Sequence, residues 1–362
     1  MCRDSPAGAV RVVAVLLMLA APVAGLGPAS AAAVSAAAGR SLGPAVATTS
    51  GTLWGVAATS ARSAWAVGQT ANSKTLILRW NGGGWKRVPS PTPAGGGSLR
   101  AVAAISASGA WAVGATGSGK TLILRWNGRT WTQVSSPSPG PSGAALYGVT
   151  ATGGGNAWAV GAISGGMPLI LHWNGGTWKQ AAIPGSVQAG GGFFGVAGIS
   201  ARNAWAVGGT AARSTLILHW NGSTWTQVPS PRSGVLYSVT AISARGAWAV
   251  GQTGSSGTLI SRWNGSHWRQ VPSPNPGGSR GDFLFGSAAA SASDAWAVGD
   301  TGSGETVILH WTGRTWKQVP SPDPGASNAL QSVAASSARN AWAVGFTLGR
   351  ALILRWNGTS WK

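Results

Sequence analysis

The five residues AWAVG recur seven times along this chain, with their Trp at positions 65, 111, 158, 205, 248, 296 and 342. The spacings are 46, 47, 47, 43, 48 and 46 residues. A unit of this length cannot bury its own apolar surface, so it must stack on copies of itself, in a closed ring or in an open solenoid.

Each unit breaks into four short apolar segments separated by turn residues. In the first unit these are LWGVAATS at 53–60, AWAVG, TLILRW at 75–80, and a segment that opens at Trp85 after an Asn81-Gly82 turn. AWAVG and LILRW are apolar on both faces, as strands buried between two sheets must be. Ala64, Ala66 and Gly68, repeated in every unit, are expected to let neighbouring backbones approach near an axis. Asn-Gly favours a tight hairpin because both residues tolerate positive φ. Six of the seven copies carry it, and Thr312 replaces the Asn in the sixth. A solenoid needs polar capping repeats, and neither terminal unit resembles one.

The sequence therefore predicts an all-β chain, a seven-bladed β-propeller of four-stranded antiparallel blades spanning residues 52–362. The last unit stops at Trp361 and Lys362, several residues short of its siblings. A strand from the Ala45 to Ser50 region is expected to pair with it and latch the ring.

Residues 1–31 read as a signal peptide. Arg3 and Arg11 precede an apolar run from Val12 to Leu26, and Ala29, Ser30 and Ala31 supply a small-residue cleavage site. Residues 32–51 form an Ala/Gly/Ser-rich linker that includes the expected latch strand. No later stretch is long and apolar enough to span a membrane, so a secreted, extracellular protein is expected. The only Cys, Cys2, lies in the leader, which leaves the processed chain without disulfides or thiolate metal sites.

The chain carries 26 Lys and Arg against 6 Asp and Glu, a formal charge of +20. Such a surface attracts anionic partners, here a glycan or an anionic cell-surface polymer. Nucleic acid is disfavoured because the chain reads as exported and its basic residues are scattered over all repeats. The competing explanation is that the charge serves solubility alone.

Of the 22 Trp, all but Trp54 recur at three fixed positions per unit, typified by Trp65, Trp80 and Trp85. Regular recurrence marks them as blade packing. The second residue of the first strand varies instead: Trp54, Arg100, Tyr147, Phe194, Tyr237, Phe285 and Gln331. With the first strand innermost, these seven ring the mouth of the central channel and form the candidate ligand-binding site. The alternative is that they plug it. The loops between the second and third strands open on the same face, differ in sequence, and carry Lys74, Lys120, Arg213, Arg350 and Glu305. Arg62, Arg202, Arg245 and Arg339 fall on the opposite face as solvated turn residues.

His172, His219 and His310 alternate with Arg79, Arg125, Arg262 and Arg355 at one register position, which reads as a polar exterior site and not as a catalytic base. DTGSGE at 300–305 places two carboxylates around glycines without the ligand spacing of a calcium loop. No metal and no cofactor are expected.

The stretch LRAVAAISASGAWAVGATGSGKTLILRWNGRTWTQV at 99–134 resembles the repeat of tectonin-type lectin propellers, which also pair an early-strand Trp with a WxG turn and a closing Trp-x-x-Val. NGGTW at 174–178 resembles a shortened Asp-box, the turn of sialidase-like and photosystem-assembly-factor-like propellers. Kelch-like propellers share the unit length, but their paired Gly and Tyr are not regular here. Taken whole, the chain resembles a secreted bacterial seven-bladed propeller with Trp-rich repeats. The resemblance covers residues 52–362 and implies fold far more than function.

Chemistry for catalysis is scarce. Glycoside hydrolysis needs two placed carboxylates, or a Tyr with its acid and an Arg cluster, yet Glu305 is the only Glu and Tyr147 and Tyr237 are the only Tyr. GSGKT at 117–121 lacks the first Gly of a phosphate loop and precedes a strand instead of a helix. The expected function is secreted, non-catalytic carbohydrate or cell-surface binding by a monomer. An extracellular protein-interaction scaffold or adhesin is the alternative, and a propeller hydrolase or lyase comes third.

Overall fold

Four short strands per unit, separated by short polar turns, pair most readily with their immediate neighbours in sequence, and within each unit the chain folds accordingly. Residues 46–187, 190–230 and 233–362 are described in the computed structural model. The segment read as a signal peptide and most of the linker lie outside these residues. The described residues form seven four-stranded antiparallel sheets. In the first blade, β2 (Thr52–Ser60) is innermost, followed outward by β3 (Ser63–Gln69), β4 (Thr75–Trp80) and β5 (Trp85–Arg87). β2 packs against the inner strand of the second blade (Gly97–Ser106) and against that of the seventh (Asn328–Ser337), so the ring is closed. The fold is a seven-bladed β-propeller.

The seventh blade is assembled from two parts of the chain. β1 (Val46–Ser50) pairs antiparallel with the third strand of that blade (Arg350–Trp356), Val46 opposite Leu352 and Ser50 opposite Arg350. Trp361 bridges Trp356, and the backbones of Lys362 and Arg355 exchange hydrogen bonds of 2.8 and 3.0 Å at the other end of the same strand. The outermost position of the blade is thus shared between residues 46–50 and 361–362.

There is no single core. Seven apolar clusters sit between successive blades, one per joint. The alternation of side chains along the second strand explains how each joint is built. Trp65 and Val67 point toward the second blade, into a cluster with Leu99, Leu122, Trp126 and Trp131. Ala64 and Ala66 point the other way and leave room for Trp342 and Val344 of the seventh blade. One face of each blade is large and the other small, and copies nest.

The recurring Trp residues form a triad at every joint. The second-strand Trp of one blade lies 4.8–5.0 Å from the third-strand Trp of the next, and stands edge-on at 82–90° to its closing Trp, 5.0–5.2 Å away. These are favourable offset and edge-to-face geometries that add to the burial term. The third-strand Trp also donates its indole N–H to a carbonyl in the first turn of its own blade, as Trp80 does to Ala61 at 3.0 Å and Trp356 to Ala338 at 3.1 Å.

Three sequence expectations need correction or completion. The Arg or His position is at the exterior as expected, Arg125 being exposed and the others half-buried, but each such side chain also caps a Trp triad. Arg79 lies 5.1 Å over Trp65 and 5.7 Å over Trp126, while His172 stacks on Trp158 at 4.0 Å. Both cations and imidazoles satisfy the same ring face, which is why the position accepts either. The Asn of the Asn-Gly turn does not use positive φ. Only the Gly does, at +96° in Gly82, while Asn81 Oδ1 accepts the N–H groups of Gly83 and Gly84 at 3.0 and 3.2 Å. At Thr312 the Gly keeps its conformation, φ +90° at Gly313, and the strands still pair Trp311 with Trp316, but the two side-chain bonds are not formed. The third correction concerns Gly68. A Cβ there would fall 1.9 Å from the carbonyl oxygen of Thr52, so the glycine is required by its own blade's inner strand and not by a neighbouring blade.

Candidate functional site

One or two residues after its start, the inner strand of every blade carries a buried large residue, a variable residue and a small one. In order, the triplets are Leu53-Trp54-Gly55, Leu99-Arg100-Ala101, Leu146-Tyr147-Gly148, Phe193-Phe194-Gly195, Leu236-Tyr237-Ser238, Leu284-Phe285-Gly286 and Leu330-Gln331-Ser332. In all seven blades the strand register shifts across the middle residue, as where Leu53 pairs with Gly68 and Gly55 with Val67. The middle residue is therefore the extra residue of a β-bulge. A bulge re-aims a side chain that strict alternation would direct elsewhere, and here it turns seven side chains toward the axis.

Each bulge brings its own backbone close to the second strand, which is the reason AWAVG ends in Gly. In every blade a Cβ at that position would lie within 2 Å of a carbonyl oxygen of the inner strand, for example Gly208 against Gly192 at 1.9 Å. The small third residue has a different neighbour. A Cβ on Gly195 would meet the backbone of Ser238 in the next blade at 2.9 Å. Where that residue is Ser, it joins blades: Ser287 N–H donates to Ser238 Oγ at 3.1 Å, and Val56 N–H donates to Ser332 Oγ at 3.2 Å across the ring seam.

The seven variable residues line one axial pocket of about 180 Å³, with Val56, Val102, Val149, Val196, Val239 and Val333 deeper along its wall. Four aromatic rings run in an unbroken row: Tyr147 to Phe194 at 5.5 Å, Phe194 to Tyr237 at 5.6 Å and Tyr237 to Phe285 at 5.3 Å. Opposite the row, the Arg100 guanidinium stacks on Trp54 at 3.9 Å, and Gln331 stands between Phe285 and Trp54 in blade order. No carboxylate and no His is among the lining residues.

The pocket's electrostatics follow from partial burial. Burial pulls the Arg100 pKa below its ordinary value, opposed by its attraction to Tyr147. Burial pushes the Tyr147 hydroxyl up, with Arg100 opposing. It pushes Tyr237 up to about 12, with Arg213 opposing and Asp300 adding to the rise. Both hydroxyls are neutral donors and acceptors at neutral pH.

The loops between the second and third strands differ less than their sequences suggest. In the five blades with a Thr-x-x-x-x turn, the first Thr accepts the N–H four residues on with its Oγ1, as in Thr70 to Lys74 at 3.2 Å and Thr301 to Glu305 at 3.1 Å. One backbone form therefore presents Lys74, Lys120, Arg213 and Glu305. DTGSGE is one of these turns, and among the described residues no group of three or more His, Cys, Asp or Glu could hold a metal ion. Asp282, fully buried at the start of the sixth inner strand, accepts the Gly277 N–H at 2.9 Å and lies outside the pocket.

The opposite face carries one Arg per blade in six blades. Arg62, Arg202, Arg245 and Arg339 lie over the hairpin glycines Gly82, Gly222, Gly265 and Gly358 of their own blades. Where Ser108 and Ser293 occupy that turn, Arg129 and Arg314 stand in the hairpin instead. Asp294 Oδ1 is hydrogen-bonded to His310 Nε2 at 3.3 Å.

The structure places all seven residues singled out in the sequence around one pocket. What sequence reasoning missed is the bulge that puts them there, although its signal is present in the large-variable-small triplet and in the Gly of AWAVG.

Comparison with known proteins defines the fold only. The chain is similar to the BP39L lectin from Burkholderia pseudomallei, with a TM-score of 0.60 and 14% identity over 87% of this chain and 98% of that one. It is similar to YCF48 bound to D1 peptide, with a TM-score of 0.59 and 15% identity over 86% and 93% of the two chains. The WD40 β-propeller domain of Doa1 gives a TM-score of 0.61 and 11% identity over 85% and 94%. No family model matches the sequence, and no curated protein does.

Proposed function

We propose that this protein is a secreted, non-catalytic binding propeller that takes a carbohydrate end group of a glycan or cell-surface polymer at the axial pocket. The observation that carries the reading is the row of four aromatic rings facing a stacked guanidinium in a pocket without carboxylates. Aromatic faces bind the C–H surface of a sugar ring, while the two Tyr hydroxyls, Gln331 and Arg100 supply hydrogen bonds to its oxygens. Every joint of the seven-bladed scaffold is packed by a Trp triad, an arrangement that favours a pocket formed before a ligand arrives and a small ordering cost on binding. The same fold carries a lectin among the similar structures, which supports the reading without deciding it.

A broad glycan and cell-wall polymer array, read at low and at physiological salt, tests it with Trp54→Ala and Tyr147→Ala alongside. The expected result is a defined sugar whose binding survives salt and falls in both variants. Binding that disappears with salt and ignores the variants would remove the pocket from the account.

A protein-interaction scaffold is the second reading. It is favoured by a pocket that opens among basic loops, and a similar structure holds a peptide. Absence of any array hit, with a peptide ligand competing at the pocket, would establish it instead.

A further inference from the structure

Arg100 is the only cationic side chain lining the axial pocket. Its guanidinium meets the Trp54 ring, but among the described residues it forms no ion pair and no hydrogen bond. Among the third-strand cations, Arg355 by contrast donates two hydrogen bonds to Asn340 Oδ1, at 3.2 and 3.3 Å. A desolvated cation without a counter-charge is costly to hold. The bulge nevertheless turns this one toward the axis, where a ligand can complete it.

Which ligand group fits follows from geometry and charge. One face of the planar guanidinium is covered by Trp54, which leaves its N–H edge for a planar bidentate acceptor, the geometry of a carboxylate. One cation balances one negative charge, whereas a dianionic phosphate would leave a charge uncompensated in a partly dry pocket. The volume of about 180 Å³ is below the roughly 300 Å³ at which pockets begin to enclose drug-sized ligands. It admits one ring-sized group and not a chain lying lengthwise.

We infer that the axial pocket selects a sugar residue bearing a single carboxylate, a uronic acid at a chain end, and that Arg100 reads the carboxylate while the row from Tyr147 to Phe285 receives the ring. This rests on the carbohydrate reading proposed above. Lys74, Lys120 and Arg213, on loops at the same face, raise the local concentration of an anionic chain before it docks.

The test is calorimetric titration of the full chain at physiological salt with methyl glucuronide, its uncharged methyl ester, methyl glucoside and acetyl-dialanine. Wild type, Arg100→Gln and Arg100→Lys are compared, with thermal melting of each as the folding control. Gln331 occupies the same ring position in the seventh blade, so the substitution to Gln suits the bulge. The expected result is binding of the glucuronide in preference to the ester and the glucoside. Loss of the charge-assisted pair in Arg100→Gln weakens it about ten- to a hundredfold, and Arg100→Lys recovers part of that loss. Equal binding of the glucuronide, ester and glucoside, unchanged in Arg100→Gln, would overturn the inference and leave the carbohydrate reading standing. Binding of acetyl-dialanine alone, dependent on Arg100, would overturn both and assign the pocket to a peptide chain end. No binding of any probe overturns the inference and leaves the carbohydrate reading to the glycan array.

Discussion

Trp342 of the seventh blade and Trp80 of the first lie with ring centroids 4.8 Å apart. Trp85 meets the same Trp342 edge-on at 5.0 Å, and Arg355 covers the pair. The seam that closes the ring is therefore packed like the six joints within the chain. Truncation there should cost as much as at an internal joint. Trp342→Ala and Trp158→Ala are each expected to lose about 3–5 kcal/mol, the usual range for a buried Trp replaced by Ala. Urea denaturation of the two variants checks this, and a much smaller loss at Trp342 would mean that the seam carries less than its geometry implies.

Gly208→Ala tests whether the bulge is held by the Gly of AWAVG. The added methyl would lie 1.9 Å from the Gly192 carbonyl oxygen, which backbone movement alone can relieve. A loss of at least about 2 kcal/mol is expected, comparable to overpacking a dense core. Ala substitution at the exposed Gly154, where a Cβ meets nothing within 4 Å, should cost far less. Equal melting temperatures for the two variants would count against the bulge as the reason for the motif.

Acid should weaken the joints that use His. Burial holds the pKa of His172 and His219 below the ordinary imidazole value. The unfolded chain then takes up protons first, so the stability these groups contribute is complete above about pH 6.5 and is lost as pH falls through their folded values. Replacing both with Arg, the residue of the neighbouring blades, is expected to flatten the decline in melting temperature between neutral and mildly acid pH.

Alkali should act through Tyr237. Its hydroxyl is pushed up to about 12, against about 10 in an unfolded chain. The folded state holds the proton longer, so stability is complete below about pH 10 and falls as pH rises toward 12, by up to about 3 kcal/mol for a two-unit gap. Phenolate absorbance of the native protein should rise later than that of the denatured one, and Tyr237→Phe should reduce the alkaline loss.

The fold was legible because each joint repeats. Trp65, its third-strand partner and its closing partner return at fixed register, and periodic aromatics in a unit of this length can only be inter-blade packing. The axial residues were legible for the opposite reason: Trp54, Arg100 and Gln331 break a pattern everywhere else maintained. The bulge was not, since periodicity-two reasoning assumes that every strand residue is paired. The capping role of Arg79 and His172 was also hidden, because alternation between Arg and His reads as tolerance of polarity until the Trp face beneath is seen. The Asn81 turn was read for its backbone, when its side-chain oxygen is what closes it.

Turning one residue per blade out of register has an effect on what this protein can become. Stability resides in seven inter-blade clusters, whose inner-strand valines reach the pocket wall, and the bulged side chains belong to none of them. Within a single chain that position already holds an indole, a guanidinium, a phenol, a benzyl group and a carboxamide, all on the same backbone. New selectivity can be composed around the axis one residue at a time, each change felt by the side chains beside it in the ring, without renegotiating the Trp triads that keep the ring shut.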